Sequence, residues 1–256
     1  MSQNTFALVN GSIVDALNPL PSKGHIVVSG DEIADVASGE PQQAGITEKI
    51  DLDGKFIVPG LWDVHTHIGK GIPDSEARDE TSAERTIRAG ENCLKSLHMG
   101  ITSLRAVGEK DFIDVAWKKA FSSGSFVGPD LYTCGWFITT TAGHFLKSGC
   151  AVEVDGVTEY LRVIREQIKN GVDFIKLNLT GGVMGPDWDK MPNTFPTDDE
   201  LKAAFGLCHQ RGFKIVAHAG GLDGIKKAVE YGAHTLEHGY QLDDDSVEML
   251  SKSSTY

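Results

Sequence analysis

The stretch Gly171-Val-Asp-Phe-Ile-Lys-Leu-Asn-Leu179 decides how the chain is read. It follows an amphipathic run in which Val157, Leu161, Ile164 and Ile168 share one stripe. Glycine tolerates the left-handed backbone that closes a helix, so the stretch reads as a helix end turning directly into an apolar strand. The turn recurs. Gly100 precedes Ile101–Val107, Gly212 precedes Phe213–Ala219, and Gly232 precedes His234–Glu237. Thr81…Glu84 and Thr197…Glu200 carry the spacing of capping boxes at helix starts. Ile87, Gly90, Leu94 and Leu97 form a second helical stripe, and Leu201, Ala204, Phe205 and Cys208 a third. Repeated β–α units with continuously apolar strands predict a parallel sheet buried on both faces.

Six such strands are predicted: Leu61–His67, Ile101–Val107, Asp130–Cys134, Val172–Leu179, Phe213–Ala219 and His234–His238. Six strands fit either an open doubly wound sheet or part of a barrel. The barrel is preferred because chemistry-bearing residues end several different strands, and a barrel converges those ends on one face. A closed (β/α)8 barrel takes about 250 residues, more than the chain offers from Pro59 onward. Residues 1–58 read differently, as short strands Phe6–Asn10, Ile13–Asp15, His25–Ser29, Glu32–Val36 and Lys49–Leu52 with turns at Asn10-Gly11, Ser29-Gly30-Asp31 and Asp53-Gly54. That spacing predicts a small antiparallel β-unit. The expected organisation is therefore 1–58, part of a small β-sandwich, and 59–256, an α/β barrel domain.

Composition narrows the function. A formal charge of −12 with no basic run argues against nucleic acid as a partner. Cys93, Cys134, Cys150 and Cys208 are scattered without a C-x-x-C pair, which favours reduced core thiols over a thiolate zinc site. The opening residues Met1 to Asn10 show neither the basic nor the apolar region of a signal peptide, and no apolar run reaches membrane-spanning length. The expectation is a cytoplasmic protein acting on a small molecule, with neither nucleic acid nor membrane as partner.

Five residues carry the chemistry. His65-Thr-His67 is an H-x-H pair, and on a strand residues two apart share a face. Lys176 stands inside the apolar run Phe174-Ile-Lys-Leu177, where an unpaired ammonium is costly to bury. A snorkelling or ion-paired lysine is the plain alternative. Burial also lowers a lysine's pKa and leaves its amine nucleophilic, able to react with CO₂ to give an anionic carbamate. His218 and His238 end two consecutive strands, each followed by glycine, at Gly220 and Gly239. His25, His98, His209 and His234 are read as structural.

Val58-Pro-Gly-Leu-Trp-Asp-Val-His-Thr-His67, Phe174-Ile-Lys176, Ala217-His-Ala219 and Leu236-Glu-His-Gly239 together resemble the amidohydrolase superfamily. Thr141-Ala-Gly-His144, Thr180-Gly-Gly182 and Glu237-His-Gly239 resemble its prolidase-like and N-acyl-amino-acid hydrolase branch. The resemblance implies a (β/α)8 barrel in which His65 and His67 bind one metal, His218 and His238 a second, and carboxylated Lys176 bridges them. The metals are expected to be two divalent ions, zinc by preference, with a bridging hydroxide attacking an amide of a dipeptide or N-acyl amino acid. By the same resemblance Lys176 and His144 are catalytic, and His144 and Tyr240 bind substrate. Relatives often assemble, so a homo-oligomer is allowed.

The eighth-strand aspartate that the resemblance implies has no assignable counterpart, and Ser251–Tyr256 resembles the approach to a seventh strand. The expectation is a barrel truncated after strand six and a chain poorly active by itself. Ala106 after Arg105 is a smaller departure, where many relatives carry aspartate. Two other readings stay open. A mononuclear deaminase or imidazolonepropionase-like enzyme would place glutamate three residues after His218, where this chain has Gly221. A non-catalytic barrel is the third.

Overall fold

The computed structural model describes residues 4–71, 80–183 and 185–256. The first three residues of the opening stretch lie outside the described ones. The chain divides into two compact units, Met1–Gly60 and Leu61–Tyr256.

The first unit is one five-stranded sheet. It contains β1 (Thr5–Ile13), β2 (Ser22–Ser29), β3 (Glu32–Ala37), β4 (Glu48–Asp51) and β5 (Phe56–Ile57). The expected antiparallel unit is in fact mixed, because β4 and β5 both pair with β1 in parallel. Asn10-Gly11 is not a turn. Asn10 takes a φ of 56° and the register slips between Leu8 and Gly11, so the pair forms a bulge inside one continuous strand.

The second unit alternates strands and helices: β6 (Leu61–Thr66), α1 (Ser82–His98), β7 (Ile101–Ala106), α2 (Ile113–Ser122), β8 (Asp130–Thr133), β9 (Phe137–Thr139), β10 (Ala151–Glu153), α3 (Gly156–Asn170), β11 (Phe174–Asn178), α4 (Asp198–Gln210), β12 (Lys214–Ala219), α5 (Leu222–Glu230), β13 (Thr235–His238) and α6 (Asp244–Lys252). All six predicted strands are present, every pairing among them is parallel, and their order is β6-β7-β8 and β9-β11-β12-β13. Strands β9 and β10 escaped the sequence reading. Gly135, at φ 64°, bends the third strand; β8 pairs with β7 before the bend and β9 meets β11 after it. Tyr256 lies alongside β13, its N–H donating to His234 O at 3.0 Å and its carbonyl accepting from Leu236 N–H at 2.8 Å.

Side-chain alternation separates an outer from an inner layer. Ile175, Leu177, Leu179, Ile215, Ala217 and Ala219 pack against the helices, with Tyr160, Ile164, Leu201 and Phe205. Phe174 and Val216 face the other way, with Val107 and Cys134. Lys176 and His218 share that inner parity. Both capping boxes form, with Thr81 accepting from Glu84 N–H and Thr197 from Glu200 N–H. No helix among the described residues is long and apolar enough to cross a membrane.

The stripe expected on α1 is wrong. Ile87 is 71% exposed and Leu94 is also exposed, while Arg85, Ala89 and Cys93 face inward. Arg85 is held there by Glu109, a buried carboxylate that hydrophobic periodicity does not register. Gly90 makes the contact with α2 instead, since a Cβ there would fall 2.1 Å from Trp117 Cζ2. Gly90→Ala should therefore destabilise the unit by about 1–3 kcal/mol through overpacking. Gly206→Ala, in the exposed face of α4 with open space around it, should stabilise by about 0.5–1 kcal/mol through helix propensity. Urea unfolding of the two variants checks the opposite signs.

Candidate metal centre

Strand ends from across the second unit deliver the expected residues to one place. His65 belongs to β6 and His67 follows it; Lys176 lies on β11, His218 on β12 and His238 ends β13. Ring centroids are 6.0 Å apart for His65 and His67, 5.0 Å for His65 and His238, and 4.5 Å for His218 and His238. His144, from the loop after β9, stacks on His218 at 4.1 Å. Tyr240 stacks on His238 at 5.5 Å and is 60% exposed, which puts it at the rim. The four histidines read as structural have places of their own. His25 bonds Gly39 O and Asp35, His98 ends α1, His209 reaches Gly232 O, and the His234 ring meets Tyr256.

Backbone geometry explains why His238 joins. In β13, Thr235 and Glu237 face inward and Leu236 packs outward against the helix layer. Strict alternation would send His238 outward too. Its φ of 76°, followed by Gly239 at 55°, turns the ring back inward.

Lys176 is 3% exposed and has no hydrogen-bond or ion-pair partner among the described residues. Burial pulls its pKa down to about 8, against the opposing pull of Glu237. The imidazoles shift likewise. Burial, with the Lys176 charge behind it, brings His67 to about 3 and His238 to about 4, and holds His218 well below its ordinary value. His144 is lowered by burial, which outweighs its bond to Asp189. Neutral rings keep lone pairs available for ligation.

The ring nitrogens already in use define which ones remain. His65 Nδ1 donates to Glu237 Oε2, His67 Nδ1 donates to Gly108 O at 2.9 Å, and His218 Nε2 donates to Gly181 O at 3.2 Å. Each bond fixes a tautomer and leaves the other nitrogen free, the pattern found behind metal-ligating histidines. Among the described residues, no three His, Cys, Asp or Glu side chains are gathered tightly enough to hold an ion between them.

Glu237 was not singled out in the sequence, though it lies inside the quoted Leu236-Glu-His-Gly239. Its Oε1 accepts from Arg105 Nη2 at 2.6 Å and Thr235 Oγ1 at 2.8 Å, and its Oε2 takes His65. Burial opposes its charge, but the His65 bond and the Lys176 and Arg105 charges hold its pKa at about 2. Arg105 therefore has an acidic partner, supplied by β13. Asp189 and Asn178 were missed as well. Asp189 accepts from His144, and Asn178 stands in register with His218 with its Oδ1 buried and unpaired among the described residues. Nothing in the local sequence around either residue marks it.

A family model for the amidohydrolases matches residues 56–255. The chain belongs to the amidohydrolase family. Within the family, this chain is 30% identical to the ochratoxinase of Aspergillus niger over 225 residues, which cover 77% of the chain and 46% of that protein. It superposes on a crystal structure of a Xaa-Pro dipeptidase with methionine bound in the active site, at a TM-score of 0.87 and 26% identity over 99% of this chain and 66% of the other. A prolidase complexed with N-methylphosphonate-L-proline gives a TM-score of 0.86 at 26% identity, over 97% and 64%. The amidohydrolase chain spans about half the length of the curated relatives it matches.

The ion network yields a test of the site's architecture. Glu237→Leu leaves buried Lys176 and half-buried Arg105 without their counter-charge and should cost about 3–5 kcal/mol. Arg105→Met combined with Glu237→Leu should recover part of that loss. Denaturant unfolding of the metal-free single and double variants measures both.

Proposed function

We propose that the pocket hydrolyses the C–N bond of a small amide, with dipeptides and N-acyl amino acids as its substrates. The observation that carries this reading is the approach of His65, His67, His218 and His238 to one another around buried, unpartnered Lys176. The relatives support the substrate class, since one solved neighbour is a Xaa-Pro dipeptidase holding methionine and another a prolidase holding a proline phosphonate. The activity proposed is that of the whole protein, acting in the cytoplasm as a monomer or as a homo-oligomer.

The donor set fits divalent ions. His65 and His67 would hold one, His218 and His238 a second, and Lys176 would supply the shared anionic oxygen. For that, the neutral Lys176 amine forms an N–C bond to CO₂ and loses one proton, giving a carbamate. Zinc is the ion we assign, because imidazole nitrogen and carboxylate-type oxygen both suit it. Bound there, the ions would polarise a carbonyl and lower the pKa of a water molecule.

The chain's own residues supply the rest. Glu237 and the Gly108 carbonyl orient His65 and His67 through their Nδ1 atoms. His144 stands over His218 with Nδ1 committed to Asp189, so Nε2 is the atom it can offer to substrate. Tyr240, at the rim beside His238, is placed to meet the substrate's carboxylate with its hydroxyl. We assign the domains in the same spirit, with residues 59–256 the barrel part that carries the site and residues 1–58 part of a small β-sandwich.

Lys176→Met tests the reading. Loss of an outer-sphere partner weakens metal binding by about 10–100-fold, so loss of the bridging group should weaken it by more and abolish hydrolysis. Elemental analysis should give two zinc ions per wild-type protein, alongside turnover of a panel of dipeptides and N-acyl amino acids. Undiminished metal content and hydrolysis in Lys176→Met would remove the lysine from the mechanism.

A further inference from the structure

A second buried carboxylate stands at the edge of the site. Asp189 lies in the segment between β11 and α4 and is 4% exposed. It accepts three hydrogen bonds. His144 Nδ1 donates to Oδ1 at 2.8 Å, Gly182 N–H donates to the same oxygen at 3.2 Å, and Phe145 N–H donates to Oδ2 at 3.3 Å. The donors come from two different loops, one after β9 and one after β11, so a single side chain fixes both loops against the histidine.

A carboxylate offers only acceptor positions to these donors. The imidazole must therefore turn Nδ1–H toward Asp189, which leaves Nε2, among the described residues, without a bond. The ring has little freedom to do otherwise. One face stacks on His218 at 4.1 Å with 23° between the planes. The Gly182 backbone crowds the ring as well, because a Cβ there would come within 2.2 Å of His144 Cε1 and 3.1 Å of Nε2. The His144 N–H donates to Thr139 Oγ1 at 3.1 Å, which pins its backbone.

We propose that Asp189 is the positioning residue of His144, holding Nδ1–H on its own carboxylate so that Nε2 faces the bound substrate. The inference takes from the hydrolase reading only the nature of that substrate, an amide or amine of an amino-acid derivative. The same division of labour, a carboxylate setting the tautomer and the far nitrogen meeting the reacting molecule, operates in Asp–His pairs of unrelated hydrolases. Asp189 itself touches no substrate.

The experiment is a histidine side-chain ¹⁵N–¹H correlation spectrum of the whole protein at one fixed pH, with His144→Gln assigning the signal. The wild type should show His144 as the Nδ1–H form. Asp189→Ala should shift it to a mixture or to the Nε2–H form, and Asp189→Asn, which keeps one acceptor oxygen, should restore part of the Nδ1–H signal. In hydrolysis of an N-acyl amino acid, Asp189→Ala should raise KM by about tenfold, the worth of one hydrogen bond, with kcat little changed. If Asp189→Ala does not fold, Gly182→Ala displaces the ring with the carboxylate intact and should also remove the Nδ1–H signal. An unaltered His144 signal in the folded variant overturns the proposal. A wild type that shows the Nδ1–H form responding to Asp189 but hydrolyses nothing sinks the hydrolase reading and supports the positioning role; an active enzyme whose His144 ignores Asp189 does the reverse.

Discussion

One carboxylate, that of Glu237, makes the rest of this site possible. Moving an ion of its size out of water costs several kcal/mol unless its lone pairs are met. Here both oxygens are used, Oε1 by Arg105 and Thr235 and Oε2 by His65. The bonds do two jobs. They fix His65 with Nδ1 as donor, and they join β6 and β7 of one sheet to β13 of another through side chains. Half-buried Arg105 and buried Lys176 bring two positive charges to the same inner face, and Glu237 offsets both.

Burial lowers the pKa of several rings near Lys176, and the lysine adds to that effect. Its charge presses down on His67, His144, His218 and His238 alike. An ammonium there makes the group hostile to cations, while the carbamate we propose would replace that positive charge with a negative one. The depressed pKa near 8 is what makes the conversion accessible, since a fraction of the amine is neutral at physiological pH. Burial of an unpaired lysine, costly in an ordinary core, is in the proposed function the condition for its chemistry.

The site was more legible in the sequence than the packing around it. H-x-H, the strand-borne lysine and two glycine-flanked histidines announce themselves because each breaks an otherwise apolar strand pattern. The helix-closing glycines Gly100, Gly171, Gly212 and Gly232 likewise marked where four of the strands begin. What stayed hidden was set by contacts distant in sequence. Ile87 and Leu94 look like a core stripe, yet Arg85 occupies the inward face because Glu109, 24 residues later, pairs with it. Asp189 reads as one more loop carboxylate until folding brings His144 to it across 45 residues. The bend at Gly135 that splits the third strand is equally silent, because a glycine in a strand can mark a bulge, a bend or nothing.

The left-handed backbone at His238 shows where the fold accepts strain for the site. A non-glycine residue at positive φ costs on the order of 1–3 kcal/mol and persists only where surrounding structure imposes it. Two features impose it here. Glu237 must face inward to meet Arg105 and His65, and Leu236 must face outward to the helix layer. The next residue can reach the inner face only by leaving the strand conformation. Gly239, which relaxes into φ 55° without steric penalty and donates its N–H to Ala219 O at 3.2 Å, takes up the following half of the turn. A glycine at this place therefore serves the histidine before it. The carboxylate that anchors the ion network and the ring that completes the imidazole group can be sequence neighbours only because the backbone turns between them.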